Sequence, residues 1–168
     1  MKKFTKYILF ISLGLLCSCS DYLDIVPDNV TTLDIVFNNK NTAQRYLANC
    51  YHFVPDHGSV KRIPGMGAGH ECWFYTDSYF DNEVSFYIAR GLQNTNAPYA
   101  NYWDGEGGSK LPMFRAIREC NIFLSYVRDQ HKVNDLTDSE RKRWIAEVNV
   151  LKAYYHFFLF EHYGPIPI

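Results

Sequence analysis

The chain carries almost no net charge. Its 17 lysines and arginines face 18 aspartates and glutamates, a formal balance of −1, with the signs interspersed. A nucleic-acid partner asks for a basic patch, so that class is disfavoured. Long apolar runs are equally scarce. Nothing after Cys19 approaches the roughly 20 apolar residues of a membrane-crossing helix. Cys-x-x-Cys pairs are absent, and the histidines lack the i, i+4 spacing of a helical metal site. His70-Glu71-Cys72 is the only dense group of ligand types, and chance explains it. There is no Gly-x-Ser-x-Gly and no Cys/His pairing of the kind that activates a nucleophile. A glycosidase needs two carboxylates about 5–9.5 Å apart. Asp77, Asp81, Glu83, Asp104 and Glu106 offer such pairs, as almost any polar loop does.

What is present begins at the N-terminus. Lys2, Lys3 and Lys6 precede an apolar run from Tyr7 to Leu16, the pattern of a secretory signal. Leu16-Cys17-Ser18-Cys19 resembles a bacterial lipoprotein processing box, with Leu16 at minus three and Ser18 at minus one from Cys19. Cutting there frees the Cys19 thiol and amine for acylation. Cys17 fits worse, because bulky Leu16 would stand next to the cut. Stable anchoring takes two lipid signals, each buried methylene contributing about 0.8 kcal/mol. A multiply acylated Cys19 meets that need without a transmembrane helix. Residues 1–18 therefore read as a signal peptide and 19–40 as an extended tether with a turn at Pro27-Asp28-Asn29. The remaining 41–168 reads as a helical domain with an insert at 55–108. Of the thiols left, Cys50 and Cys120 sit in apolar helical patterns and read as buried, whereas Cys72 lies in a loop.

Three helices are expected. In the first, Asn41 to Val54, an apolar stripe runs through Ala43, Tyr46 or Leu47, Cys50 and Phe53, with Asn41 as cap and Pro55 as stop. The second spans Ser109 to Asp129, capped by Ser109, with Leu111, Phe114, Ile117, Cys120, Leu124 and Val127 on one face. The third, Thr137 to His162, opens on the capping box Thr137-Asp138-Ser139-Glu140. Its stripe is Trp144, Val148, Leu151, Tyr155, Phe158 and His162, and Gly164-Pro165 ends it. The short connection predicts an antiparallel hairpin from the last two helices. Tyr154, Phe157, Phe160 and Tyr163 spread aromatic surface round the last helix, which predicts neighbours on most sides. Those neighbours are either further helices of a longer chain or a partner chain.

Three stretches resemble the N-terminal region of the SusD/RagB family of outer-membrane lipoproteins. They are Cys19 to Pro27, Tyr102-Trp103 with Phe114 to Leu124, and Glu147 to Phe157 continuing through Tyr163-Gly164-Pro165-Ile166-Pro167. Lys152 stands where the family usually has Arg, and the chain is several times shorter than family members. The resemblance implies an all-α fold of tetratricopeptide-like helical hairpins with a long irregular aromatic-rich insert. It also implies nutrient binding, an oligosaccharide above all, at the cell surface. The partner would be a SusC-like TonB-dependent barrel transporter of the outer membrane, with no cofactor and no catalysis. A protein–protein scaffold built on the same hairpins is the alternative.

Sugar binding asks for aromatic faces under C–H groups and planar polar side chains for hydroxyls. The insert from Trp73 to Trp103 holds both. Thr76-Asp77 matches the pair after which the family often builds its binding face. Trp73, Tyr75, Asp77, Phe86, Tyr87 and Arg90 are thus the candidate ligand residues. Tyr102 and Trp103, beside a helix start, read as core.

Overall fold

The computed structural model describes residues 32–59, 63–65, 67–69, 84–106 and 110–167. These carry five helices: α1 (Leu33–Val36), α2 (Lys40–Tyr51), α3 (Val84–Ala89), α4 (Met113–Val127) and α5 (Asp138–Tyr163). There is no strand among the described residues, and no helix there is long and apolar enough to cross a membrane.

The hairpin of α4 and α5 is the body of the fold. Arg141 meets the carbonyl of Val127 and Trp144 meets Phe123, so α5 runs back along α4. Thr137 starts α5 as the capping box predicts. Its hydroxyl accepts from the Glu140 N–H at 3.4 Å, and its own N–H donates to the Glu140 carboxylate at 3.1 Å. Gly164 ends the helix in the left-handed region, φ +75°, with its N–H on the Phe160 carbonyl. The buried stripe contains Trp144, Val148, Leu151, Tyr155 and Phe158, as expected, and adds Leu159 and Arg141. His162 is not in it. Its ring lies against Tyr102 and Phe158, but the residue is exposed.

The second predicted helix starts later than Ser109, which lies outside the described residues. Pro112 occupies the N-cap position with no side-chain cap bond, and α4 begins at Met113. The proline ring pushes the residue before it out of helical conformation, so the helix cannot extend back through Leu111. The Met113 N–H donates instead to the Tyr102 carbonyl at 2.9 Å. Met113, Ala116 and Phe123 join the expected Ile117, Cys120, Leu124 and Val127 in the core, while Phe114 is only partly covered.

Against this hairpin lies α2, in contact with both helices. It is capped by Asn39 rather than Asn41. The Asn39 side chain accepts from the Thr42 N–H at 3.1 Å, and the Asp135 carboxylate takes the Lys40 N–H at 2.8 Å. Ala43, Leu47 and Cys50 are buried and Tyr46 partly so. Cys50 and Cys120 are buried free thiols, and the neighbouring Cys120 together with burial raises the Cys50 thiol above its ordinary range. The Tyr155 hydroxyl donates to the Cys50 carbonyl at 2.5 Å, tying α5 to α2.

The expected extended tether fails over its last stretch. Residues 33–36 form α1, and Phe37 is fully buried. Its ring stacks on Tyr126 at 4.5 Å and meets Phe123 edge-on at 5.9 Å. Burying a phenylalanine contributes about 2–3 kcal/mol, enough to fold one turn of chain onto the core. The Val133 N–H donates to the Phe37 carbonyl, and Lys132 pairs with Asp34 at 2.8 Å. The stretch Leu33–Ile168 clusters as one compact unit.

Candidate functional site

Of the six candidate ligand residues, Trp73, Tyr75 and Asp77 lie outside the described residues, as does the acylation candidate Cys19. The other three share one segment. In α3, Val84, Ser85 and Phe86 are buried. Phe86 is 1% exposed, so it fills space and offers no ring face to a ligand. That corrects its expected role. The periodicity of Val84 and Phe86 in so short a helix gave no sign of which side was inward.

Tyr87 and Arg90 sit where solvent reaches them, half-buried and exposed respectively. The Arg90 guanidinium lies 5.9 Å from the Phe86 ring centre, a cation–π distance. Tyr87 stacks on Tyr99 with centroids 4.0 Å apart and planes within 6°. The loop between them is built to hold this pair. Gly91, at φ +71°, turns the chain, and the Leu92 N–H returns to the Tyr87 carbonyl. The Gln93 side-chain oxygen accepts from the Tyr99 and Ala100 N–H groups, at 2.8 and 3.3 Å. The Asn94 oxygen accepts from Asn96 and Ala97. Gln93 and Asn94 thus spend their amide oxygens on the loop itself.

Trp103 departs from expectation in the other direction. Tyr102 is core, 1% exposed, but Trp103 is 44% exposed. Two rings brace it: Phe114 at 4.5 Å and Tyr163 edge-on at 5.7 Å. The Tyr163 hydroxyl accepts from the Tyr102 N–H at 2.8 Å, and the Asn101 oxygen accepts from the Trp103 N–H at 3.1 Å. Just beyond, Gly105 (φ +81°) passes so close to Pro112 that a Cβ would sit 2.7 Å from the proline nitrogen. Trp103 is thus held by neighbouring rings while much of its indole stays in solvent. The one sequence signal for it is the grouping of Tyr99, Tyr102 and Trp103 with Asn101 and Asp104.

A second concave surface lies on the outer side of α5. Phe157 and Phe160 are 60% and 55% exposed, and with Ala153, Pro165 and Ile166 they line an apolar groove of about 630 Å³. Lys152, at the position where the family usually has Arg, borders it, and its carbonyl bonds the His156 ring nitrogen at 2.7 Å. Among the described residues no group of three or more histidine, cysteine or acidic side chains converges as a metal site.

No curated protein and no solved structure matches the chain. A family model does, the SusD-like model described as starch-binding and associating with the outer membrane, and it runs from residue 21 to residue 168. The match takes in the hairpin, α2, the aromatic loop and the closing Tyr163-Gly164-Pro165-Ile166-Pro167. The chain belongs to the SusD-like family, helical binding proteins associated with the outer membrane.

Proposed function

We propose that this protein captures an oligosaccharide at the bacterial surface and presents it to a SusC-like TonB-dependent transporter. It would be held on the outer membrane by lipid on Cys19 after removal of residues 1–18. The observation that carries the reading is the family match over residues 21–168. The lipoprotein box and the braced aromatic rings support it. Tyr87 stacked on Tyr99 gives a paired ring surface three residues before Arg90, and a guanidinium fork suits a pair of vicinal hydroxyls. Trp73, Tyr75 and Asp77 are further candidate ligand residues in this reading. Nothing in the chemistry calls for bond cleavage, and the protein acts as a binder, not an enzyme.

Calorimetry of the full chain against a panel of oligosaccharides tests the binding claim. Tyr87→Ala and Trp73→Ala are each expected to weaken it, and full retention in both moves the site elsewhere. Palmitate labelling of the expressed protein tests the anchor. Cys19→Ala is expected to abolish it, and labelling that persists refutes it.

The apolar groove along Phe157 and Phe160 favours a second reading, a tetratricopeptide-like scaffold for another protein. Sugar binding that is unaffected by Phe157→Ser separates the two.

A further inference from the structure

A groove of about 850 Å³ opens between α4 and the loop that precedes it, some way along the chain from the Tyr87 segment. Trp103, Phe114 and Tyr46 supply its aromatic surface, and Asp104, Arg115, Arg118 and Glu119 its polar groups. Three observations bear on what it holds. First, Trp103 is rigid without being covered, as described above. Phe114 and Tyr163 fix the indole, and 44% of its surface still faces solvent. Second, the two carboxylates are held in place with capacity to spare. Glu119 takes the Tyr46 hydroxyl at 2.5 Å on one oxygen, while its other oxygen is 3.9 Å from the Arg115 side chain. Asp104 accepts from Asn101 at 2.6 Å and from the Glu106 N–H at 2.9 Å, both on Oδ1. Arg115 keeps 70% of its side chain in solvent. Third, the two arginines and two carboxylates cancel formally. A balanced groove gives no net pull to a polyanion or a polycation, so it suits an uncharged occupant.

A flat indole beside forked donors and carboxylate acceptors matches a sugar ring, which is apolar on one face and hydroxylated at its rim. We propose that this groove binds a pyranose unit of a neutral oligosaccharide, its C–H face on Trp103 and its hydroxyls shared among Arg115, Arg118 and Asp104. The inference rests on the glycan-binding reading, but it names a subsite that does not involve Tyr87, Arg90 or the stretch around Trp73. The apolar groove on α5 has no such mixture of groups, and nothing in the structure shows what covers it.

The test uses the full chain labelled with 5-fluorotryptophan. Its 3 tryptophans give separate fluorine signals, assigned by Trp→Phe variants. Linear hexasaccharides of glucose, xylose and mannose are titrated in while calorimetry follows overall binding. With the sugar that binds, the Trp103 signal is expected to shift saturably, and the signal of buried Trp144 to stay. Arg118→Gln is expected to raise the dissociation constant for that shift about tenfold, the worth of one charge-assisted hydrogen bond. Arg143→Gln, on the exposed surface of α5 and outside the groove, is expected to leave the Trp103 shift in place. Binding heat without a Trp103 shift overturns the groove and leaves the glycan reading standing. A shift that follows protein concentration rather than sugar overturns it in favour of a protein contact. Neither heat nor shift with any sugar overturns both.

Discussion

Removing the guanidinium of Arg141 should unfasten the turn of the main hairpin. Arg141 is 7% exposed, and its four hydrogen bonds all go to backbone carbonyls. Nη1 donates to Val127 at 2.6 Å and Asp129 at 3.1 Å, and Nη2 to Lys132 and Val133, both at 3.1 Å. Val127 closes α4, so the cation also sits at the negative end of that helix. The bonds to Val127 and Val133 are buried, and water cannot replace them readily. Each buried carbonyl left bare costs about 1–2 kcal/mol, and the two half-exposed bonds add roughly 0.5 each, for a total of about 3–5 kcal/mol. At this chain length that lowers the melting temperature by about 10 °C. Arg141→Met is the cleanest variant, because it keeps the apolar stem and removes only the fork. Arg141→Lys should fall about midway, since an ammonium cannot span four acceptors in a plane. Urea denaturation followed by the fluorescence of buried Trp144 gives the number. A Met variant within about 0.5 kcal/mol of the parent would refute the reasoning, since surface changes of no consequence fall in that range.

Two further outcomes follow from local geometry. Gly105→Ala should destabilise by at least about 2 kcal/mol, through a left-handed backbone forced on alanine and a Cβ pressed onto Pro112; an unchanged urea midpoint would show that the loop yields freely. Glu140 takes a hydrogen bond from Lys40 and two from Thr137, through its hydroxyl and its N–H, and these hold its carboxyl down at about 2 against an ordinary 4.5. A depressed acid stabilises the fold fully above its unfolded value and progressively less below it. The stability difference between the parent and Glu140→Gln should therefore shrink as pH falls from 4.5 to about 2, and a flat difference over that range would contradict the pairing.

The hairpin was legible because burial repeats along a helix. Trp144, Val148, Leu151, Tyr155 and Phe158 form one line, and Thr137 with Glu140 marks its start. That line is narrower than the true contact. Because α5 touches both α2 and α4, its buried face also takes in Leu159, which a single stripe omits. Arg141 was invisible for another reason. A charged residue in the first turn of a helix ordinarily meets water, and only the returning end of α4 turns it inward. Phe37 has no periodic neighbours, so its burial follows from the fold alone. The choice of Asn39 over Asn41 as cap was likewise settled at a distance, by Asp135 holding the Lys40 amide. At the site, composition pointed to the right stretch but not to orientation. Neighbours Tyr102 and Trp103 leave a non-helical chain in different directions, one into the core and one out of it. Phe86 and Tyr87 divide in the same way.

The clamp at the front of the fold has a mechanical consequence. Asp34 is tied to Lys132, Phe37 to Val133 and Lys40 to Asp135, so three successive points of the leading chain are stitched to the loop joining α4 and α5. A tug on that leading chain reaches these stitches before any turn of α2 is strained, so the loop between α4 and α5 carries the load first.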